Sequence, residues 1–140
     1  MIILHCSASD NPAHDNIETI RKWHTQRGFK GYDGIPNTQD DRGYHQFINK
    51  AGVAFQGRID DQIGAHCKNY NKNSIGICLS GLDVFTDAQF ETAAKLCAFY
   101  MKKYSLEITD IVPHNLLDKK GKTCPNFKIE KVTSLVNKYL

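Results

Sequence analysis

The amino-acid sequence predicts one α/β domain with a central mixed β-sheet flanked by helices. Short apolar segments alternate along the chain with segments of helical period, which is typical of α/β proteins. Neither an internal repeat nor a linker divides the chain, and 140 residues with 41% hydrophobic content suffice for one buried core. We therefore treat residues 1–140 as a single domain.

The first half of the chain is predicted to contain a strand, a helix, a loop and a hairpin. Residues 1–5 form a short apolar strand. Asp15 and Glu18 have the spacing of a capping box, which predicts a helix that ends at Gly28. Residues 29–43 are rich in glycine and polar residues and predict a loop long enough to rim a cleft. The segments "YHQFI" and "VAFQGR" flank "NKAG" and predict a β-hairpin.

The second half is predicted to add two strands and two helices. The segments "SIGICLSG" and "LEITDIV" each predict a strand. Thr86 and Gln89 form a second capping box, which opens a helix expected to lie across the sheet. The apolar residues of this helix at helical spacing are Phe90, Ala93, Ala94, Cys97, Met101 and Tyr104. A closing helix after "TCP" is expected to bury Val132, Leu135, Val136 and Tyr139.

The composition indicates which binding partners and which cellular compartment to expect. The net charge is only +3 and the basic residues never form a run, so nucleic acid is not an expected partner. The first residues have neither a basic region nor a long apolar segment, so we expect no membrane contact and a cytoplasmic location. Five cysteines, an odd number, favour free thiols or metal ligands over a disulfide framework.

Two histidines are predicted to meet at one edge of the sheet. His5 ends the first predicted strand and His114 ends the last one. Ligands of open α/β sheets bind beyond the carboxyl ends of the strands, so both imidazoles are expected to face the same crevice. From the pattern alone, each histidine has an alternative role as a capping or core residue. The positions of His5 and His114 therefore suggest a functional site but do not establish which residues belong to it.

Cys124 follows His114 by ten residues and is the third candidate. The proline after it suits the first turn of the closing helix, where the helix dipole would favour the thiolate form of Cys124. Two imidazoles and one thiolate suit Zn²⁺, with a fourth coordination position left for water. This donor set predicts a catalytic zinc site at one edge of the sheet.

Four motifs resemble those of a known enzyme family. "LHCSA", "GYHQFI", "AHCKNYNKNSIGICLSG" and "PHNLLDKKGKTCPNF" stand in the order found in type 2 N-acetylmuramoyl-L-alanine amidases. The resemblance covers the whole chain and is closest to the small phage amidases, a branch that shares its fold with the peptidoglycan recognition proteins. It agrees with the fold class and with the donor set expected from the residues.

The resemblance implies a reaction and assigns residues to it. It implies that His5, His114 and Cys124 hold one zinc ion per chain, and that Tyr44 and Lys122 are needed for catalysis. "DKKGK" contains three lysines, and only the resemblance selects Lys122. The implied reaction is hydrolysis of the amide between N-acetylmuramic acid and L-alanine in peptidoglycan, as in phage endolysins. Peptidoglycan or its muropeptides are then the partner of a protein that acts as a monomer.

One further residue and two other functions stay open. His66 precedes the polar segment "CKNYNKNS", which predicts a groove for glycan or stem peptide with His66 among its substrate-binding residues; an ordinary solvated loop is the alternative. The chain is alternatively a non-catalytic muropeptide-binding module, or a hydrolase that uses Cys124 as nucleophile with a histidine base. Metal content and sensitivity to a chelator distinguish these functions.

Overall fold

Five strands form one mixed sheet in the computed structural model, which describes residues 1–28, 43–118 and 123–140. The strands are β1 (Ile2–Cys6), β2 (Gln46–Ile48), β3 (Ala54–Gln56), β4 (Ile75–Leu79) and β5 (Ile111–Pro113). Their spatial order is β3-β2-β4-β1-β5. β2 and β3 pair antiparallel as the predicted hairpin, and the other neighbours are parallel. The predicted α/β fold with a mixed sheet is confirmed.

The two central strands are buried on both faces. β1 reads IILHC and β4 reads IGICL, and all ten of these residues are buried. Such near-continuous apolar strands are expected where helices cover both faces of a parallel sheet. Their parallel register places His5 beside Cys78, so the carboxyl ends of β1 and β4 lie at the same end of the sheet.

Helices cover the two faces unequally. They are α1 (Ile17–Gln26), α2 (Asp87–Tyr104), the short α3 (His114–Leu117) and α4 (Glu130–Val136). α2 and α4 pack together over the main core, which includes Leu4, Ile48 and Ile77 of the sheet. A smaller cluster of Ile20, Phe47 and Cys78 joins α1 to the sheet. The long helix therefore lies across the sheet as predicted.

The capping box of α2 is confirmed. The Thr86 hydroxyl accepts from the Gln89 N–H at 3.2 Å, and Gln89 Oε1 accepts from the Thr86 N–H at 2.9 Å. Tyr104, the last of the apolar residues at helical spacing, lies outside the buried face of this helix, because it is 39% exposed. Tyr100, one turn earlier, is fully buried instead and donates its hydroxyl to Asp60 at 2.8 Å.

The start of α1 differs from the prediction by one residue. Asn16, and not Asp15, is the N-cap, since its side chain accepts from the Thr19 N–H at 2.9 Å. The Asp15 carboxylate accepts the backbone N–H of Lys50 at 2.9 Å instead. Both residue types are good N-caps, and this contact with a distant segment decides between them. The helix ends before Gly28, as predicted, with that glycine at a φ of 83°.

The predicted strand over "LEITDIV" is mostly wrong. Ile108–Asp110 forms a 3-10 turn, and only Ile111–Pro113 joins the sheet as β5. The Asp110 carboxylate accepts the Glu107 N–H at 2.9 Å, and this local hydrogen bond stabilises the turn over an extended backbone.

The closing helix begins later than predicted. A turn in which the Asn126 N–H donates to the Thr123 carbonyl at 3.0 Å separates Pro125 from the helix that starts at Glu130. Val132 and Val136 are buried as expected, whereas Leu135 and Tyr139 are only partly buried.

The loop that the sequence predicts over residues 29–43 lies outside the described residues, apart from Gly43. Among the helices that the structure describes, none has both the length and the apolar surface to span a membrane.

Cys97 gives a first test of the fold. It is fully buried on α2, and burial raises the pKa of its thiol to about 12. We expect Cys97→Ala to lower the free energy of unfolding by roughly 1 kcal/mol, as a small buried deletion does, and to leave turnover unchanged. Urea unfolding and a muropeptide assay measure the two quantities. A tenfold loss of turnover in the folded variant would contradict a purely packing role.

Candidate active site

His5 reaches the site because of its place on β1. Leu4 belongs to the core under α2, so alternation along the strand directs His5 to the opposite face of the sheet. There its ring centroid lies 5.0 Å from that of Tyr44 and 4.4 Å from that of His114. His5 is only 1% exposed, so its imidazole is a buried polar group that needs partners.

Backbone segments next to β1 bring His114 and Cys124 close to His5. His114 is the first residue of α3, directly after β5, which pairs with β1. The Asn115 N–H donates to the Cys124 carbonyl at 2.9 Å, and the Cys6 N–H donates to Cys124 Sγ at 3.1 Å. These hydrogen bonds hold the cysteine against both the end of β1 and the start of α3.

The three predicted metal ligands form one cluster, called here the His–His–Cys cluster. One ligand atom from each of His5, His114 and Cys124 lies within 4.8 Å of the others. His114 Nδ1 is buried and makes no hydrogen bond to the residues that the structure describes, whereas its Nε2 faces the Asp118 carboxylate at 3.7 Å. Two imidazoles and a thiol are a donor set that suits zinc, and three protein ligands are typical of catalytic sites. The residues therefore fit the implied metal.

The expected thiolate at Cys124 is not supported by a helix N-terminus. The closing helix begins six residues later, at Glu130, so its dipole does not act on this sulfur. A hydrogen bond with the Cys6 thiol and burial raise the pKa of Cys124. Binding of a metal must then displace a proton from this thiol, which makes metal affinity rise with pH.

Tyr44 lies on the same side of the sheet as the cluster. Its ring packs against the small core of Ile20, Phe47 and Cys78 under α1, and it contacts the His5 ring. Burial, together with the neighbouring thiols of Cys78 and Cys124, raises the pKa of the Tyr44 phenol well above its usual value. The hydroxyl is therefore protonated at neutral pH and acts as a hydrogen-bond donor rather than as a base.

His24 of α1 anchors the segment that carries Tyr44. The Gly43 N–H donates to His24 Nδ1 at 2.9 Å, and the rings of His24 and Tyr44 are 5.3 Å apart. His24 is 5% exposed, and burial, with the nearby cations of Arg27 and Arg58, lowers its pKa to about 4. The neutral imidazole is thus the acceptor that fixes the start of this segment.

We predict a pH-dependent stability from His24. Its pKa is about 4 in the folded chain and 6.5 as the ordinary value, so the unfolded chain takes up the proton first as the pH falls. The stabilisation is complete above pH 6.5 and is lost as the pH falls towards 4. At 1.36 kcal/mol per pKa unit the loss is about 3 kcal/mol. Urea unfolding of metal-free protein over this pH range measures it.

The control for this prediction is His24→Asn. The asparagine places an oxygen near the position of Nδ1, so it keeps an acceptor for the Gly43 N–H but does not titrate. Other buried histidines contribute equally to the pH dependence of both proteins, so the difference between the two curves belongs to His24. Identical pH dependence in the two proteins would contradict the assignment.

His66 lies beside the cluster. Its Nδ1 is 2.9 Å from His5 Nε2, and its Nε2 is 3.1 Å from Ser74 Oγ. Burial lowers the pKa of His66 to about 3. Both ring nitrogens thus face other side chains of the protein, and a role of His66 in substrate binding remains a prediction.

Lys122 lies outside the described residues, between Asp118 and Thr123. Its role therefore remains a prediction from the resemblance.

A cleft of about 410 Å³ lies where the chain leaves β1. It is lined by Ser7, Ala8, Trp23, Gln26 and Arg27. Ser7 and Ala8 directly follow the end of β1, while the other three residues belong to α1 or its end. Its lining includes the indole of Trp23 and the exposed residue Arg27, whose side chains are of the types suited to a sugar ring and a carboxylate.

Sequence reasoning missed several residues around the site. His24 contacts Gly43, and His66 contacts Ser74. Neither pair has the spacing of a helix, of a strand or of a known sequence motif, so the sequence did not indicate these contacts. Asp118 was detectable, because a carboxylate four residues after His114 lies on the same face of a helix.

Comparison with known proteins defines the class of this chain. Residues 1–127 match the N-acetylmuramoyl-L-alanine amidase family. The match covers most of the chain and includes all of the His–His–Cys cluster. The chain therefore belongs to the N-acetylmuramoyl-L-alanine amidase family.

Individual relatives agree with this class. An endolysin of Enterobacteria phage T3 is 32% identical over 142 residues, which cover 93% of this chain and 82% of the relative. An endolysin of Escherichia phage T7 is 31% identical with the same coverage of both chains. Among solved structures, the endolysin N-acetylmuramoyl-L-alanine amidase LysCS from Clostridium intestinale superposes with a TM-score of 0.78 and 27% identity, over 98% of this chain and 82% of that one.

Proposed function

We propose that this chain is a zinc-dependent amidase that hydrolyses the bond between N-acetylmuramic acid and L-alanine in bacterial peptidoglycan, as an endolysin does in cell lysis. The observation that carries this proposal is the His–His–Cys cluster, with its three ligand atoms within 4.8 Å of one another. Family membership supports the reaction, and the donor set supports the metal.

The residues of the chain have separate roles in the proposed reaction. His5, His114 and Cys124 would hold the zinc ion. Zinc when bound acts as a Lewis acid on a carbonyl oxygen and lowers the pKa of water to about 7. Tyr44, with its hydroxyl protonated, would donate a hydrogen bond to the substrate or to the attacking water. Lys122 would stabilise the negative charge that develops on the amide oxygen.

The cleft beside the end of β1 is the proposed position of part of the substrate. Trp23 offers an apolar face for the sugar, and Arg27 offers a bidentate donor for a carboxylate of the stem peptide. Ser7 of the cleft follows His5 by two residues, so a substrate held there would extend its scissile amide towards the cluster.

Metal analysis tests this proposal against the two other functions. We expect one zinc per chain, loss of amidase activity on dialysis against a chelator, and recovery of activity when zinc is added back. Zinc binding without any cleavage of muropeptides would instead indicate a binding module. Cleavage that resists the chelator but is blocked by a thiol alkylator would indicate a cysteine hydrolase.

A further inference from the structure

A chain of hydrogen bonds leads from a backbone carbonyl to the ring of His5. Ser74 Oγ lies 2.7 Å from the Tyr70 carbonyl oxygen and 3.1 Å from His66 Nε2, and His66 Nδ1 lies 2.9 Å from His5 Nε2. These three contacts run in sequence and end on a member of the His–His–Cys cluster.

The direction of every bond in this chain follows from its first member. A carbonyl oxygen only accepts, so the Ser74 hydroxyl must donate its single hydrogen to Tyr70. Ser74 Oγ then accepts from His66, which places the hydrogen of the neutral His66 ring on Nε2. His66 Nδ1 is left with a lone pair and must accept from His5 Nε2.

We infer that His66 is a positioning residue that holds His5 in the Nε2–H tautomer and thereby presents the lone pair of His5 Nδ1 to the metal. This inference rests on the proposed function, because it concerns how a proposed zinc ligand is oriented. Metal-binding histidines commonly donate their second ring N–H to an acceptor that fixes the ring, and His66 is that acceptor here.

The surroundings of His66 are shaped to hold its ring in this place. A Cβ atom at Gly76 would lie 2.6 Å from His66 Cγ, and one at Gly64 would lie 2.5 Å from His66 Cδ2. Both positions therefore need glycine for the backbone to approach the ring this closely. His45 packs edge-on at a centroid distance of 5.8 Å and makes its own bonds to the Gln62 carbonyl and the Gly76 N–H. The ring of His66 thus has little freedom to rotate away from His5.

The tautomer is measured directly in the metal-free, unmutated protein. Two-bond ¹H–¹⁵N correlation spectra distinguish the Nε2–H and Nδ1–H forms of a neutral histidine. We expect His5 and His66 both to be in the Nε2–H form at neutral pH. An Nδ1–H form of either ring would overturn the inference, and this measurement needs neither a variant nor bound zinc.

Two variants of His66 separate positioning from packing. His66→Asn places an amide oxygen near the position of Nδ1 and keeps an acceptor for His5, whereas His66→Gln reaches towards Ser74 and loses it. For His66→Gln we expect zinc affinity, measured by competition with a chelator, to fall roughly 10- to 100-fold. The His66→Asn variant should recover most of this loss, although both variants remove the same ring from its packing.

The outcomes are distinguishable from failure of the proposed function. If the unmutated protein binds no zinc, the proposed function fails, while the tautomer spectra still test the hydrogen-bond chain. If the unmutated protein binds one zinc and His66→Gln binds it equally well, the zinc site stands and the role of His66 is wrong. Equal losses of zinc affinity in the Asn and Gln variants would indicate a packing role alone and overturn the inference.

Ser74→Ala adds a check. This variant removes the hydroxyl oxygen that accepts from His66 Nε2, so both tautomers of His66 and His5 should appear in the spectra.

Discussion

Replacing Cys124 by serine is expected to abolish stoichiometric zinc binding and nearly all amidase activity while leaving the fold intact. A hydroxyl is a far poorer zinc ligand than a thiolate, and only two imidazoles would remain in the cluster. Cys124 is only partly buried and serine has nearly the same shape, so we expect the substitution to leave the packing beside Cys6 intact. Metal analysis, far-UV circular dichroism and a muropeptide assay measure the three quantities.

The matched control is Cys97→Ser, because it makes the same change at a fully buried thiol on α2. This variant is expected to lose stability and to keep one zinc ion and its turnover per folded molecule. The ligand assignment of Cys124 is refuted if Cys124→Ser retains stoichiometric zinc and full activity.

Removing Lys122 is expected to slow turnover by roughly 100- to 1,000-fold, the usual loss for one oxyanion donor, without changing zinc content.

Tyr44→Phe deletes only a hydroxyl, and we expect a loss of turnover similar to that of the Lys122 variant. Both groups would act on the same transition state, so the double variant should lose less than the product of the two single losses. Steady-state kinetics on zinc-loaded variants measure these effects.

Lys120→Ala is the control for Lys122→Ala, because the resemblance alone selects one lysine from "DKKGK". We expect Lys120→Ala to match the unmutated protein. Equal losses at positions 120 and 122 would point to a general charge effect of the segment. Unimpaired cleavage by a zinc-loaded Tyr44 or Lys122 variant would remove that residue from the mechanism.

The sheet and the long helix were predictable because their signals are local. Alternation of apolar residues marked β4, and Thr86 with Gln89 marked the start of α2, where both capping bonds form. The segment before β5 was misassigned because a carboxylate-to-backbone bond from Asp110 outweighs the β propensity of Ile108. The residue that caps α1 was misassigned because Asp15 satisfies a distant backbone N–H.

The candidate site was partly predictable for a topological reason. His5 lies next to the carboxyl end of β1 and His114 directly follows β5, its parallel neighbour, so knowledge of the strand ends is enough to bring them together. The pattern did not place Cys124 correctly, since it returns through a turn and not through a helix N-terminus. The sequence did not predict the roles of His24 and Ser74 next to the site, because their contacts form only in the folded chain.

The His–His–Cys cluster is proposed to hold zinc for cleavage of one particular amide. Mass spectrometry of purified muropeptides after digestion tests it most directly, because the masses identify the bond that is cut. We expect zinc-loaded protein to release a stem peptide with a free L-alanine amino group and to leave the lactyl carboxylate on the sugar, and chelator-treated protein to do neither. Cleavage within the glycan or inside the stem peptide, or the same products from metal-free protein, would contradict it.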